Sequence, residues 1–321
     1  MATSPTRSRL SIVVPVGQDT AAFENALVSV LEHQPRGCDV IVSHDGRYDD
    51  PFDLGDEVQF VTAESSSPLD LITSGVQRSR GRFVHVLANG LTATADWVDA
   101  ALEKFEHEDV AAVTPVVRNR RSGKIIAAGW HDREVRLCQP SCSSATKVNR
   151  KEAAKIDGCF LEASFWRRET LTELLDSYVG TTKTFEKMAV LEASYCSGLL
   201  TKGANWRSTT AEACDILADE HVASSIASLW DDSSFQRGKR LGAIRQRITG
   251  KEASLSGTAR SVVANLTRPR RMIESLGQLS SRSAAAEMQR RIDTDRVTSR
   301  EDTKRITPVF NECIASFRRA A

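Results

Sequence analysis

The sequence predicts an α/β protein with a mostly parallel central sheet, and two observations lead to this prediction. Short runs rich in β-branched residues recur between residues 10 and 117, and several of them end at Gly-containing turns. The segments between these runs repeat apolar residues at the spacing of one helix face. Strands that alternate with helices in this way form right-handed βαβ units on a parallel sheet.

The first part of the chain contains five predicted strands. They cover residues 10–16, 39–43, 58–62, 82–87 and 110–117. Asp19 and Thr20 are N-cap candidates for the first helix between them. The second helix is predicted over residues 68–80, where Pro68 suits a first helical turn, and the third over residues 94–107.

Beyond Arg118 the pattern is less regular. Ser122-Gly123 predicts a hairpin turn. The later predictions are a strand over 124–128, a loop over 140–155, a strand over 158–165, and helices over 170–178 and 185–200. We predict two regions: an α/β domain over residues 8–230, which contains the family resemblance described below, and a basic, partly helical or disordered extension over residues 231–321.

Charge is unevenly distributed along a chain of ordinary globular composition. Hydrophobic residues make up 40% and charged residues 26%. From Asp231 to the end there are 19 Lys and Arg against 10 Asp and Glu, so the extension carries about +9 and the rest about −8. A solvated basic surface is the default interpretation, and contact with an anionic membrane is the functional alternative. Few aromatic residues interleave with the arginines, so nucleic-acid binding is not predicted.

Cysteine usage and hydropathy predict a cytoplasmic protein, at most peripheral to the inner face of a membrane. The seven cysteines form no Cys-x-x-Cys pair, which is typical of reduced thiols. The first apolar run, over residues 10–16, is too short for a signal peptide and is predicted to be a strand. No apolar stretch approaches the roughly 18 residues that cross a bilayer.

Three strand exits are the candidate ligand-binding positions. Ligands of parallel α/β sheets bind beyond the carboxyl ends of the strands. Gly17, Asp45-Gly46 and Ala88-Asn89-Gly90 stand at those ends. The sequence contains neither a Gly-x-Gly-x-x-Gly nor a Gly-x-x-x-x-Gly-Lys-Ser/Thr motif, so dinucleotide and P-loop sites lack their usual signals.

The order of these elements resembles glycosyltransferase family 2. Residues 11–16 look like the opening strand of that family. Residues 39–46, with Asp49, resemble its second strand and Asp-Asp-Gly-Ser-x-Asp turn. Residues 74–87 resemble the helix and strand that lead to its Asp-x-Asp motif. The segments 96–98 and 109–115 resemble the elements that come after that motif in the family.

The resemblance covers residues 11–207 and implies a GT-A fold. Such enzymes transfer a sugar from a nucleotide-sugar donor to a hydroxyl of a glycan or other acceptor. The family uses Mg²⁺ or Mn²⁺, held by carboxylates, to neutralise the pyrophosphate leaving group. A separate carboxylate deprotonates the acceptor hydroxyl.

The sequence departs from the family where the metal binds. Ala88-Asn89-Gly90 replaces Asp-x-Asp, so both carboxylates are missing and we predict no metal ligands. Gly17 stands where the family often has an aromatic residue, and His44 replaces the first Asp of the second-strand turn. This leaves two hypotheses: a glycosyltransferase that works without the usual metal ligands, or a catalytically inactive GT-A-like domain that binds a nucleotide, a glycan or a partner protein.

The candidate site residues are those that match the family at the strand exits and on the acceptor side. The nucleotide-binding candidates are Pro15, Val16, Gly17, Asp45, Gly46 and Asn89. Asp45 is expected to contact the nucleobase, although Asp before Gly is also common in turns. Glu186 best matches the acceptor-side acid and is the catalytic candidate, with a solvated helix acid as the alternative.

Overall fold

The computed structural model describes residues 9–133, 136–178, 186–219, 234–251 and 268–302, together with residues 256, 259, 262 and 263. The strands are β1 Leu10–Pro15, β2 Cys38–His44, β3 Val58–Thr62, β4 Phe83–Leu87, β5 Leu91–Ala93, β6 Val110–Asn119, β7 Ile125–Ala127, β8 Trp130–Arg133, β9 Arg136–Pro140, β10 Ala163–Arg167 and β11 Arg207–Ala218. The helices are α1 Thr20–Glu32, α2 Pro68–Arg78, α3 Asp99–Lys104, α4 Arg150–Ala153, α5 Arg168–Ser177, α6 Glu186–Gly203, α7 Ser234–Thr249, α8 Pro269–Leu279 and α9 Arg282–Arg291.

Within the described residues, nine strands form one sheet in the order β3-β2-β1-β4-β10-β6-β11-β5, with β7 on β6. The first four strands are parallel. β10 is antiparallel to both β4 and β6, and β5 and β7 are antiparallel to their neighbours. β8 and β9 form a separate hairpin. The predicted α/β fold class is confirmed, and the sheet is mixed.

The first half of the chain agrees closely with the sequence prediction. β1 is buried along its whole length, as a central strand with neighbours on both sides requires. The predicted N-cap of α1 is confirmed, because the Asp19 carboxylate accepts a hydrogen bond from the Ala22 backbone N–H at 3.0 Å. Phe23, Leu27 and Val30 on the inner face of α1 are buried.

The second half differs from the prediction in several elements. Strands β5 and β11 are not predicted by the sequence pattern, and the predicted strand over 158–165 is found at Ala163–Arg167. The predicted helix over 94–107 is regular only from Asp99 to Lys104. The sequence pattern does not predict β11 because the strand contains exposed Glu212 and an irregular register between Thr210 and Asp215. Both features break the alternation of buried and exposed residues that is typical of a half-buried strand.

β4 places a histidine in the core. His85 is fully buried, with its ring centroid 4.8 Å from Trp97 and 3.8 Å from Phe165. Burial lowers the pKa of His85 to about 3, so the ring is neutral near pH 7. The side chain therefore acts as an aromatic core residue of the central sheet.

The C-terminal helices pack on the α/β body through buried charges. The Arg240 guanidinium of α7 forms an ion pair with Glu192 of α6, and both side chains are at most 3% exposed. The Tyr178 hydroxyl donates to the same carboxylate at 2.7 Å, and Arg240 also contacts Glu287 of α9 at 3.3 Å. The expectation of a solvated basic run is therefore wrong for Arg240.

Arg237 is the second buried cation of α7. Its Nε lies 3.3 Å from Glu274 of α8, and its Nη2 donates to the carbonyl oxygens of Leu137 and Cys138. The expectation of solvation is wrong here too. Whether residues 8–230 fold without the extension stays a prediction, but α7 contributes cations that compensate acids in α6 and α8.

Removal of the Arg240 charge should destabilise the fold strongly. We expect Arg240→Gln to lower the free energy of unfolding by about 3–5 kcal/mol, because the Glu192 carboxylate would remain buried without its cation. Urea denaturation measures the change. Lys239→Gln, at a half-buried position on the same helix, is the control and should change stability by less than about 1 kcal/mol. Equal losses in the two variants would contradict the prediction.

Candidate functional site

The carboxyl ends of β1, β2 and β4 meet at one edge of the sheet. β1 lies between β2 and β4 and is parallel to both. The Val16 backbone N–H donates to the Ser43 carbonyl oxygen at 2.8 Å, so the exits of β1 and β2 are in contact. This edge holds all the predicted nucleotide-binding residues: Pro15, Val16, Gly17, Asp45, Gly46 and Asn89.

Gly17 and Asn89 pack directly against each other at this edge. A Cβ atom at Gly17 would lie 2.1 Å from Asn89 Nδ2. The same Nδ2 donates to the Asp19 carbonyl oxygen at 2.9 Å, so Asn89 links the β4 exit to the start of α1. Any larger residue at position 17, including the aromatic of the family, would collide with this side chain.

Asp45 lies in the turn after β2 and is partly exposed. Its carboxylate accepts a hydrogen bond from the Arg47 backbone N–H at 3.2 Å, and Arg47 Nε lies 3.7 Å from it. Gly46 has a φ of +86°, which glycine adopts without strain. Asp45 thus has a turn-forming role, and its side chain remains 18% exposed at the predicted ligand edge.

An aromatic cluster supports the Asp45 turn. The Tyr48 ring lies 5.1 Å from Phe23 of α1 and 6.3 Å from Phe60 of β3, measured between ring centroids. His44 contacts Tyr48 and Phe60 edge-on. The His44 Nδ1 accepts a hydrogen bond from the Gly46 N–H. His44 therefore has a structural contact in the turn.

Glu162 is a carboxylate at this edge that the sequence pattern does not single out. It immediately precedes β10, and its carbonyl oxygen accepts a hydrogen bond from the Ala88 N–H at 2.9 Å. Glu162 therefore sits beside the Ala88-Asn89-Gly90 turn. Burial raises its pKa to about 7, and a hydrogen bond from its own backbone opposes this shift. Acids with raised pKa values in such positions are candidates for proton transfer.

Glu186 is the first residue of α6, as expected for an acid near a helix start. Its side chain lies outside the described residues, so its role as catalytic acid or base stays a prediction. The next turns of α6 are buried against the body, and Ser194 accepts a hydrogen bond from the Leu161 N–H, next to Glu162.

The donor set at the edge does not fit Mg²⁺ or Mn²⁺. Ala88-Asn89-Gly90 offers no carboxylate, and the described acids at this edge are Asp45, whose carboxylate caps its own turn, and Glu162. Asp132, another acid of the chain, accepts a hydrogen bond from Tyr195 at 2.9 Å and faces Arg245. Among the residues described, no group of three or more His, Cys, Asp and Glu side chains could hold a metal ion. These cations require several oxygen ligands.

A groove of about 520 Å³ lies at the opposite edge of the sheet, beside the amino ends of β2 and β3. It is lined by residues 38–40 and 55–60. It contains none of the predicted site residues and lies away from the strand exits where α/β sheets bind ligands.

Glu162 illustrates what the sequence pattern could not reveal. In the sequence it lies inside an apolar run, Gly158 to Phe165, that is typical of one strand. The structure begins the strand one residue after Glu162. A lone acid within an apolar run is the signal that could have identified it, because burial of a carboxylate costs stability.

Comparison with known proteins identifies the fold. No protein-family model matches the chain, and no curated protein matches it. Among solved structures, a mannosyltransferase of Pyrobaculum calidifontis in complex with GDP-Man and Mn²⁺ matches with a TM-score of 0.53 and 14% identity, over 89% of each chain. GalNAc-T7 with UDP, GalNAc and Mn²⁺ matches with a TM-score of 0.50 and 11% identity, over 79% of this chain and 54% of that one. The chain therefore has a GT-A-like glycosyltransferase fold.

The contact between Gly17 and Asn89 can be tested by a double-mutant cycle. We expect Gly17→Ala to lower the free energy of unfolding by about 1–3 kcal/mol, because the new methyl group overlaps the Asn89 amide. Asn89→Ala should reduce that cost when the two changes are combined. Thermal or urea unfolding of the four proteins measures the coupling.

Additive effects of the two substitutions would contradict this contact. Gly55→Ala is the matched control, because no atom lies within 4 Å of the Cβ position at Gly55.

Proposed function

We propose that the chain binds a nucleotide-sugar donor at the carboxyl edge of β1, β2 and β4. The observation that supports this function is the convergence of the three predicted strand exits, Gly17, Asp45-Gly46 and Asn89, on one edge of a GT-A-like fold. The mannosyltransferase and GalNAc-T7 structures contain GDP-Man or UDP with Mn²⁺. The fold that this chain shares with them supports donor binding here by analogy.

Asp45 is the proposed contact to the nucleobase. Its side chain is 18% exposed, and Tyr48, three residues later, packs on Phe23 and Phe60. Pro15, Val16 and Gly17 form the neighbouring exit, where the missing side chain of Gly17 leaves room for Asn89. Asn89 lies at the exit of β4 on the same edge, where its amide bonds the Asp19 carbonyl oxygen.

Two acids are candidates for the base that deprotonates an acceptor hydroxyl. Glu186 is supported by the family resemblance and by its place at the start of α6. Glu162 is supported by its position beside the Ala88-Asn89-Gly90 turn and by a pKa of about 7, which suits proton transfer near neutral pH. We favour Glu162 because its backbone is hydrogen-bonded to the turn that follows β4.

Among the described residues, no group of side chains fits a divalent cation, which leaves two forms of this function. In the first, the domain transfers a sugar with charge stabilisation from groups other than a metal held by carboxylates. In the second, it is a catalytically inactive domain that binds a nucleotide, a glycan or a partner protein. The Ala88-Asn89-Gly90 turn favours the second form, and the retained Asp45 and the raised pKa of Glu162 favour the first.

The remaining partners are also proposals. The acceptor would be a hydroxyl of a glycan or another molecule. The protein would be cytoplasmic, with its basic C-terminal region in contact with the anionic inner face of a membrane. No helix in the described part of the chain is long and apolar enough to cross a membrane.

Nucleotide binding should depend on Asp45. We expect calorimetric titration with UDP and GDP, with and without Mn²⁺, to show binding of at least one nucleotide that does not require the metal. Asp45→Ala should weaken that binding by about tenfold, the loss of one hydrogen bond to a charged group. Asp56→Ala, an exposed acid at the other edge of the sheet, is the control and should bind as the wild type.

Lack of binding to both nucleotides would contradict UDP-sugar and GDP-sugar donors. Binding that requires Mn²⁺ would contradict the absence of a metal site. Equal affinity of wild type and Asp45→Ala would remove Asp45 from the site.

Turnover should depend on the ionisation of Glu162. In the first form of the function, the rate should rise with pH to a plateau above about pH 7, and Glu162→Gln should remove this rise and lower kcat. Glu186→Gln is the matched comparison and should keep the rise. The opposite pattern would assign the base to Glu186.

A stability measurement tests the Glu162 environment even without turnover. The raised pKa means that the folded protein holds this proton while the unfolded chain releases it, so stability falls as pH rises from 4.5 to about 7. Glu162→Gln should lose this part of the pH dependence. Parallel profiles for wild type and variant would contradict the raised pKa.

A further inference from the structure

Helix α8 carries two large apolar side chains on the face that points to solvent. The side chains that face the body are polar, and Glu274, Ser275 and Gln278 are at most 7% exposed. Ile273 and Leu276 are 39% and 42% exposed. A helix that packs on a protein core normally shows the reverse arrangement. Packing of α8 on the body therefore does not explain why Ile273 and Leu276 face outward.

Close packing of α7 and α8 explains the inner face. A Cβ atom at Gly238 of α7 would lie 1.9 Å from the Glu274 carbonyl oxygen, and one at Gly277 of α8 would lie 2.1 Å from the Phe235 carbonyl oxygen. Backbones this close leave no room for large side chains between the helices. The buried Glu274 is also the ion-pair partner of Arg237. None of these contacts requires apolar residues on the outside.

Arginines surround the N-terminal end of the stripe. Arg268 and Arg270 are exposed, and Arg271 and Arg136 are partly exposed. Burial, together with the positive charges of Arg136 and Arg268, lowers the pKa of Arg271, which places three of these cations close together. Glu274 is the acid that faces them, and it is already paired with the buried cation of α7. The end of the helix thus has an excess of positive charge.

We infer that the outward face of α8 is a docking surface for an anionic lipid bilayer. Ile273 and Leu276 would enter the boundary between headgroups and acyl chains, and Arg268 and Arg270 would contact lipid phosphates. An apolar stripe beside several arginines is the combination found in helices that lie in the membrane interface. The 11 residues of α8 form a helix about 16 Å long, which lies on a bilayer and does not cross it.

The outward face of α8 would be the membrane contact that the proposed function includes. Lipid docking at this face does not depend on donor binding. Arg237 and Arg240 are excluded from the lipid surface, because both are buried in ion pairs. The basic sequence therefore divides into cations that hold the fold together and cations that remain exposed at the end of α8.

Vesicle co-sedimentation of the full chain tests the surface. We expect vesicles of phosphatidylcholine mixed with phosphatidylglycerol to bind the protein about tenfold or more tightly than vesicles of phosphatidylcholine alone, and high salt to remove the difference. Ile273→Ser/Leu276→Ser and Arg268→Gln/Arg270→Gln should each lose this binding. All four positions are exposed, so folding should be unaffected, and circular dichroism checks this.

Matched controls use exposed residues elsewhere on the chain. Val28→Ser/Phe52→Ser removes two apolar side chains that are 46% and 55% exposed, and Arg36→Gln/Arg80→Gln removes two exposed charges. Both controls should bind anionic vesicles as the wild type. If a control variant loses as much vesicle binding as the α8 variants, the assignment of the surface to α8 is overturned.

Other outcomes would also overturn the inference. Equal binding to both kinds of vesicle, or binding to neither, would do so. The wild type could also form a dimer in sedimentation velocity and bind no vesicles. If Ile273→Ser/Leu276→Ser then dissociates the dimer, the surface is assigned to a second copy of the chain. Nucleotide titration of the same variant should match the wild type, so failure of donor binding and failure of lipid docking are distinguishable.

Discussion

The parallel pairing of β1 with both β2 and β4 brings three strand exits to one edge of this molecule. β1 is the first strand in sequence but lies inside the sheet, so the chain must cross over it to place β4 on its other side. This reversal of direction opens a crevice at the carboxyl ends of the strands. Gly17, Asp45 and Asn89 come from distant parts of the sequence, and this pairing brings them to one edge, where Asn89 contacts Gly17.

The exits of β1 and β4 are linked by packing at this edge. Asn89 occupies the space that a side chain at position 17 would need, and its amide bonds the start of α1. β10 then runs antiparallel beside β4 and brings Glu162 to the turn. A carboxyl group that burial keeps partly protonated near neutral pH thus belongs to a residue next to this turn.

The arginines of the C-terminal region have two different electrostatic roles, and the net charge of the region does not distinguish them. Arg237 and Arg240 are desolvated, and each is compensated by a buried glutamate, so they join α7 to its neighbours. Arg268 and Arg270 keep their charge at the surface, next to the apolar side of α8. The fold therefore determines which of these arginines are available to a partner, and the exposed pair lies at one end of one helix.

The sequence by itself determined the α/β class, the first four parallel strands and the three exits, because period-two and period-3.6 patterns and turn residues act locally. It did not determine β11, whose polar residues and bulge obscure the strand pattern, or the neutral core position of His85. It also could not show that Asn89 contacts Gly17, that Glu162 reaches the site edge, or which arginines are buried. Those features depend on contacts between residues far apart in sequence, and only tertiary packing decides which side chains meet and lose their water.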